Sequence, residues 1–163
     1  MTGAWVLELG AQRRVAVGVR EQVELLSASA ARERSGAPAC CRYELDWNGR
    51  VVPVVDLGIA LDGRACEGPQ RLIGVYAFED GRARLAAGAL WLARPPRLVQ
   101  VDDSAACPLP ADWNPAAGIA LSCFALDGHA VPIVDLAAVF TGRLIAANER
   151  DHGCELSLSE DRK

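Results

Sequence analysis

The amino-acid sequence predicts a mainly β protein built from two copies of one unit, with only short helices. Three observations predict it. Residues 49–57 read GRVVPVVDL and residues 128–136 read GHAVPIVDL, so Gly, Val, Pro, Val, Asp and Leu recur at identical places in a strand-like run. A second echo links VAVGV at 15–19 to LAAGA at 85–89, and the distance between the two landmarks differs between the copies. Turn-forming dipeptides cut the rest of the chain into many short strand-like runs, the pattern of barrels and sandwiches. Self-similarity on this scale settles the architecture before any single element does.

Each element has its own local reason. Residues 5–9 and 14–19 flank Gly10 as a first hairpin. The segment 27–38 is polar and reads as a loop or a short helical turn. YELDW and RVVPVV flank Asn48-Gly49, LIGVYAFE and RARLAAGALWL flank Asp80-Gly81, and IALSCFAL and HAVPIV flank Asp127-Gly128. Asn-Gly and Asp-Gly supply the positive φ that tight hairpin turns require. Pro53 and Pro132 fall inside strand runs, which predicts an edge strand or a bulge at the same place in both halves. After each PxVDL the pattern becomes helical. Asp56 precedes Leu57, Ile59, Ala60 and Leu61, and Asp135 precedes Leu136, Val139 and Phe140. An Asp there is a structural helix cap whose carboxylate accepts first-turn N–H groups, and Gly63 and Gly142 are expected to end the two helices. Residues 148–163 form a polar tail expected to be flexible, leaving 1–147 as one domain of two lobes.

Composition narrows the function. With 163 residues, 51% hydrophobic and 23% charged, the chain is a globular domain rather than a disordered one. Its 17 Lys and Arg against 21 Asp and Glu leave a net charge of −4, which argues against a nucleic-acid partner because phosphate binding needs clustered positive charge. The opening MTGAWVLELG lacks a basic signal-peptide region, and the longest nearly uncharged apolar stretch, 116–126, is shorter than the ~20 residues of a spanning helix. A cytoplasmic protein without direct membrane insertion is expected. Cys40, Cys41, Cys66, Cys107, Cys123 and Cys154 form no CxxC pair and are expected to be reduced thiols. His152 and Cys154 alone make no metal site, so neither metal nor cofactor is expected.

The duplicated Asp invites one catalytic reading, a small-molecule-binding or hydrolytic β-barrel using Asp56 and Asp135 as a facing pair. Dyad loops of that kind follow the Asp with Ser or Thr and then Gly. This chain has Leu57 and Leu136 instead, with Ala137 at the second Gly position, which suits a capped helix facing a core. His129 follows a turn, His152 lies in the tail, and no Gly-rich phosphate loop precedes a helix. Without nucleophile, metal cluster or phosphate cradle, the residues read as a binding module rather than an enzyme. Trp5 and Trp91 are expected to be buried, and Trp113 to latch a loop onto the second lobe.

One further arrangement is specific. Gly36-Ala37-Pro38 is followed eleven residues after the Pro by Gly49, then directly by Arg50, Val51, Val52, Pro53, Val54, Val55, Asp56 and Leu57. Upstream, Val15, Val17 and Val19 alternate before Glu24, Leu25 and Leu26, and a second closing strand runs through 126–136. In order and spacing this resembles the CheW-like domain family, adaptors of bacterial chemosensory arrays, over roughly residues 4–147. The resemblance implies two SH3-like five-stranded β-barrel subdomains, with strands intertwined between the two lobes, packed on a shared apolar seam. It also implies a non-catalytic adaptor bridging the cytoplasmic tip of a methyl-accepting chemoreceptor to the regulatory domain of a CheA-type histidine kinase.

Carried over by position, the family's receptor-facing turn falls on Asp46, Trp47, Asn48 and Gly49. Asn48 stands where the family commonly has an Arg that engages the receptor, Tyr43 where it has a Gly, and Gln22 where it has an apolar residue. Glu24 is kept. The partner-binding residues implied are therefore Gln22, Glu24, Tyr43, Trp47, Asn48 and Gly49. Arg offers a planar charged fork and Asn does not. A partner matched to that Arg would lose about 1.5–3 kcal/mol of charged hydrogen bonding, which implies a specialised pathway, pilus-type or another alternative system. Trp47 is either an exposed interface anchor or a ring folded against the barrel wall.

Overall fold

A computed structural model describes residues 1–10, 13–111, 113 and 118–141, and among them eleven strands and two short helices form two curled sheets. In chain order these are β1 (Thr2–Glu8), β2 (Arg14–Gly18), β3 (Gln22–Ser27), β4 (Arg32–Glu33), β5 (Tyr43–Trp47), β6 (Arg50–Val55), α1 (Leu57–Asp62), β7 (Leu72–Glu79), β8 (Leu85–Leu92), β9 (Arg97–Val101), β10 (Ala120–Leu126), β11 (His129–Val134) and α2 (Leu136–Phe140). The first sheet has five strands in the order β10-β11-β2-β1-β9, and the second has six in the order β3-β7-β8-β6-β5-β4. The sixth strand is the two-residue β4, paired with β5 through Arg32↔Glu44 and Glu33↔Tyr43. This mainly β, two-subdomain architecture is the expected fold class.

The duplication is realised by exchange. Each repeat opens with a hairpin, β1–β2 or β7–β8, and closes with a hairpin plus helix, β5–β6–α1 or β10–β11–α2. The opening hairpin of each repeat lies in the sheet that holds the other repeat's closing hairpin. Two parallel ladders stitch this together, β11 to β2 through Ile133↔Ala16, and β6 to β8 through Val54↔Ala89 and Val55↔Leu90. The echoed segments VAVGV and LAAGA are these two central strands. The Asp that follows each PxV occupies one role twice: Asp56 N–H donates to Cys40 O at 2.7 Å and Asp135 N–H to Ile119 O at 2.6 Å.

Strand alternation separates three apolar cores, because successive side chains face opposite sides of a sheet. Ala4, Val6, Ala16, Phe124 and Val131 fill the five-stranded lobe. Leu45, Val52, Val54, Cys66, Ile73, Val75, Ala89 and Trp91 fill the six-stranded one. The intervening residues of the same strands, Leu7, Val15, Val17, Val55, Tyr76, Phe78, Leu90, Leu92 and Val134, meet at a seam with Leu57, Leu136 and Val139 of the helices. Trp113 is 9% exposed in that seam, Trp91 is buried, and Trp5 is only half-buried, its indole N–H donating to Val19 O at 3.3 Å.

Local geometry departs from the sequence reading in three places. Pro53 and Pro132 sit in interior strands rather than at an edge, since β6 lies between β8 and β5 and β11 between β10 and β2, while the β10–β11 ladder shifts register between Ala120 and Ser122, beside the Cys123↔Pro132 pair. The parallel ladder to β8 starts at Val54, just past Pro53, and that to β2 sits at Ile133, just past Pro132, so neither ladder uses the missing N–H. The Asp80-Gly81 hairpin closes through a longer loop in which Ala83, at φ 56°, takes the left-handed position. Segment 27–38 holds a 3-10 turn at Ala28–Ala30 and also supplies β4. Helix α1 ends as expected at Gly63, φ 77°, whose N–H donates to Ile59 O at 2.9 Å, whereas α2 closes at Thr141. Gly142, His152, Cys154 and the tail 148–163 lie outside the described residues.

Candidate functional site

Strand β3 is one open edge of the six-stranded sheet, and its alternation divides its side chains. Leu26 packs against the lobe interior, while Val23 and Leu25 are 48% and 41% exposed. An unpaired strand carrying outward apolar residues is a template for another chain. The opposite edge is protected by charge. On β4, the Arg32 guanidinium forks onto both oxygens of Asp46 and its Nε donates to Glu44 at 3.2 Å, with Arg34 3.4 Å from the same carboxylate. The Arg32 fork holds the exposed Asp46 carboxyl below the usual carboxylate range.

The β5–β6 turn folds over toward β3. Asn48 and Gly49 have φ 49° and 73°, so both central residues are left-handed, as a two-residue hairpin with right-handed strand twist requires. Asn tolerates that backbone better than Arg does, which gives Asn48 a conformational reason alongside any binding one. Trp47, the last residue of β5, packs against the lobe interior and donates its indole N–H to Glu24 Oε2 at 2.7 Å. The bond joins Glu24 of β3 to Trp47, which leads into the Asn48-Gly49 turn, at one rim, and exposed Val23 and Leu25 flank Glu24 along the strand.

Gln22 and Tyr43 have other surroundings. The Tyr76 hydroxyl donates to Gln22 Oε1 at 3.5 Å, and burial pushes the Tyr76 phenol well above its ordinary pKa. Tyr43 sets its ring edge-on to Trp91 with centroids 5.5 Å apart, so it is tied to the lobe core at the far end of β5. The exposure of Val23 and Leu25 was missed in the sequence, where an edge strand and a paired strand have the same alternation.

The two aspartates serve separate helices. Asp56, 4% exposed, accepts Ile59 N–H at 3.2 Å on one oxygen and Cys66 N–H at 2.9 Å on the other. Asp135 accepts Ala138 N–H at 3.3 Å. A hydrolytic pair needs both carboxylates turned on one substrate, and here backbone N–H groups of different helices hold them. Among the described residues no group of three His, Cys, Asp or Glu could hold a metal ion, and no helix is long and apolar enough to cross a membrane. A cleft of about 380 Å³ beside Gly10 is lined by Arg14 and Arg94, both ion-paired with Glu8 at 3.8 and 2.9 Å.

No protein-family model and no curated protein sequence matches the chain. Among solved structures, the scaffolding protein TtCheW from Thermoanaerobacter tengcongensis is similar, with a TM-score of 0.68 and 14% identity over 83% of this chain and 84% of that one. The chain therefore has a CheW-like fold.

Proposed function

We propose that this chain is a non-catalytic adaptor of a bacterial chemosensory two-component pathway, acting in the cytoplasm as a single domain over residues 1–147. Its partners are the regulatory domain of a CheA-type histidine kinase and the cytoplasmic tip of a chemoreceptor. The observation that carries this reading is the fold it shares with a scaffolding protein across 83% of its length. The rim supports it physically. Val23 and Leu25 offer apolar area on an unpaired edge, and Glu24 and Trp47 add an anion and a large ring beside it. Asn48 in place of the family's Arg favours a specialised partner, in a pilus-type or other alternative system. Single contacts of this size are weak, and a receptor array multiplies them through effective concentration.

The test is a pull-down with kinase regulatory domain and receptor-tip fragments from the same organism. Retention of both supports the adaptor. Failure to retain either fragment, from a folded wild-type bait, refutes it.

A further inference from the structure

We propose that Cys107 and Cys123 form a redox modification site, a thiol pair that hydrogen peroxide converts into a reversible disulfide. The connection from β9 to β10 makes a 3-10 turn at Asp103–Ala105 and then runs briefly beside β10, through an isolated bridge between Ala106 and Phe124. Immediately beyond it, Cys107 N–H donates to Cys123 O at 3.0 Å, which holds the two residues side by side. Their sulfurs are 3.4 Å apart. A disulfide needs about 2.05 Å, an approach that side-chain rotation supplies while the backbone stays registered.

Access differs between the two sulfurs. Cys107 is partly exposed and Cys123 is 6% exposed. Burial, and then the adjacent Cys107 sulfur, push the Cys123 thiol above its ordinary range. The Cys107 thiolate attacks one peroxide oxygen. The O–O bond breaks, Cys107 becomes a sulfenic acid, and the departing hydroxide takes up a proton as water. The Cys123 sulfur then attacks the sulfenic sulfur, its proton leaves with the displaced hydroxide as a second water, and the S–S bond closes. Two thiols are oxidised and one peroxide is reduced to two waters. In a reducing compartment such a link is transient and sensing rather than structural. Cys40, Cys41 and Cys66 are buried within the cores. The link ties the β9–β10 connection to β10, an edge strand of the five-stranded lobe.

The experiment uses the full chain, reduced, exposed to hydrogen peroxide, alkylated and then denatured for thiol counting and peptide mass mapping. The wild type is expected to fall from six free thiols to four, with Cys107 and Cys123 in one linked peptide pair that dithiothreitol releases. Cys107→Ser is expected to lose that pair altogether. In Cys123→Ser, Cys107 is expected to stop as a sulfenic acid that a dione reagent traps. Six thiols remaining in the treated wild type, a link joining other cysteines, or over-oxidised Cys107 without a link would each overturn the proposal.

Discussion

The indole N–H of Trp47 meets the Glu24 carboxylate at 2.7 Å, although β5 and β3 lie near opposite ends of a six-strand order. That contact measures how far the sheet curls, and it places an aromatic ring and an anion on one rim. Trp47→Phe keeps most of the ring and removes the donor. Because the bond is exposed, chemical denaturation should show a loss under about 1 kcal/mol.

Gly88 marks where α2 docks on the β7–β8 hairpin. A Cβ there would lie 2.5 Å from the Phe140 ring, which also stacks on Phe78 with centroids 5.4 Å apart. Overpacking of this kind costs about 1–3 kcal/mol, so Gly88→Ala should lower the thermal midpoint, and adding Phe140→Leu should recover part of the loss. Gly81→Ala, where a Cβ meets nothing within 4 Å, serves as the control and should change little.

The two helix caps should differ in weight. Asp135→Ala removes one cap bond, at about 1 kcal/mol. Asp56→Ala removes a cap and also strands Cys66 N–H in the interior, adding about 1–3 kcal/mol for an unsatisfied buried donor. Urea melts of both variants check the order, and equal losses would contradict the buried double role of Asp56.

Glu21 gives a pH signature of defined sign. Burial, and secondarily the charge of Asp135, raise its pKa above the ordinary glutamate value, against a Gly18 N–H bond of 2.8 Å that lowers it. The folded state therefore prefers protonated Glu21. Its contribution is fully present below the unfolded pKa and is lost as pH rises through the folded one. Glu21→Gln keeps the acceptor for Gly18 and should raise the melting temperature at pH 7. Below the ordinary glutamate pKa the variant and the wild type should converge.

Much of the fold was legible because its signals are local. Asn48-Gly49 and Asp127-Gly128 fix turns through their own backbone preferences, and Asp56 and Asp135 cap helices within three residues. The exchange of opening hairpins was not legible in strand patterns, since it rests on parallel ladders of one or two pairs between segments remote in sequence. Pro53 misled for the same reason: its tolerance depends on where the β8 ladder begins. At the rim, Trp47, Asn48 and Gly49 were adjacent in sequence, but the partnership with Glu24 depends on the sheet's curl. The closeness of Cys107 and Cys123 depends on how the β9–β10 connection lies on β10, which no spacing rule encodes.

The central claim, that the rim of Glu24, Trp47 and Asn48 is a partner-binding surface, is tested most directly by calorimetric titration of the full chain with the receptor-tip fragment. Saturable binding is predicted, weakened about tenfold or more by Trp47→Ala as for an interface hot spot, with the variant's melting curve run alongside to show that it remains folded. No saturable heat from the wild type, or equal affinity in a folded Trp47→Ala, would contradict it.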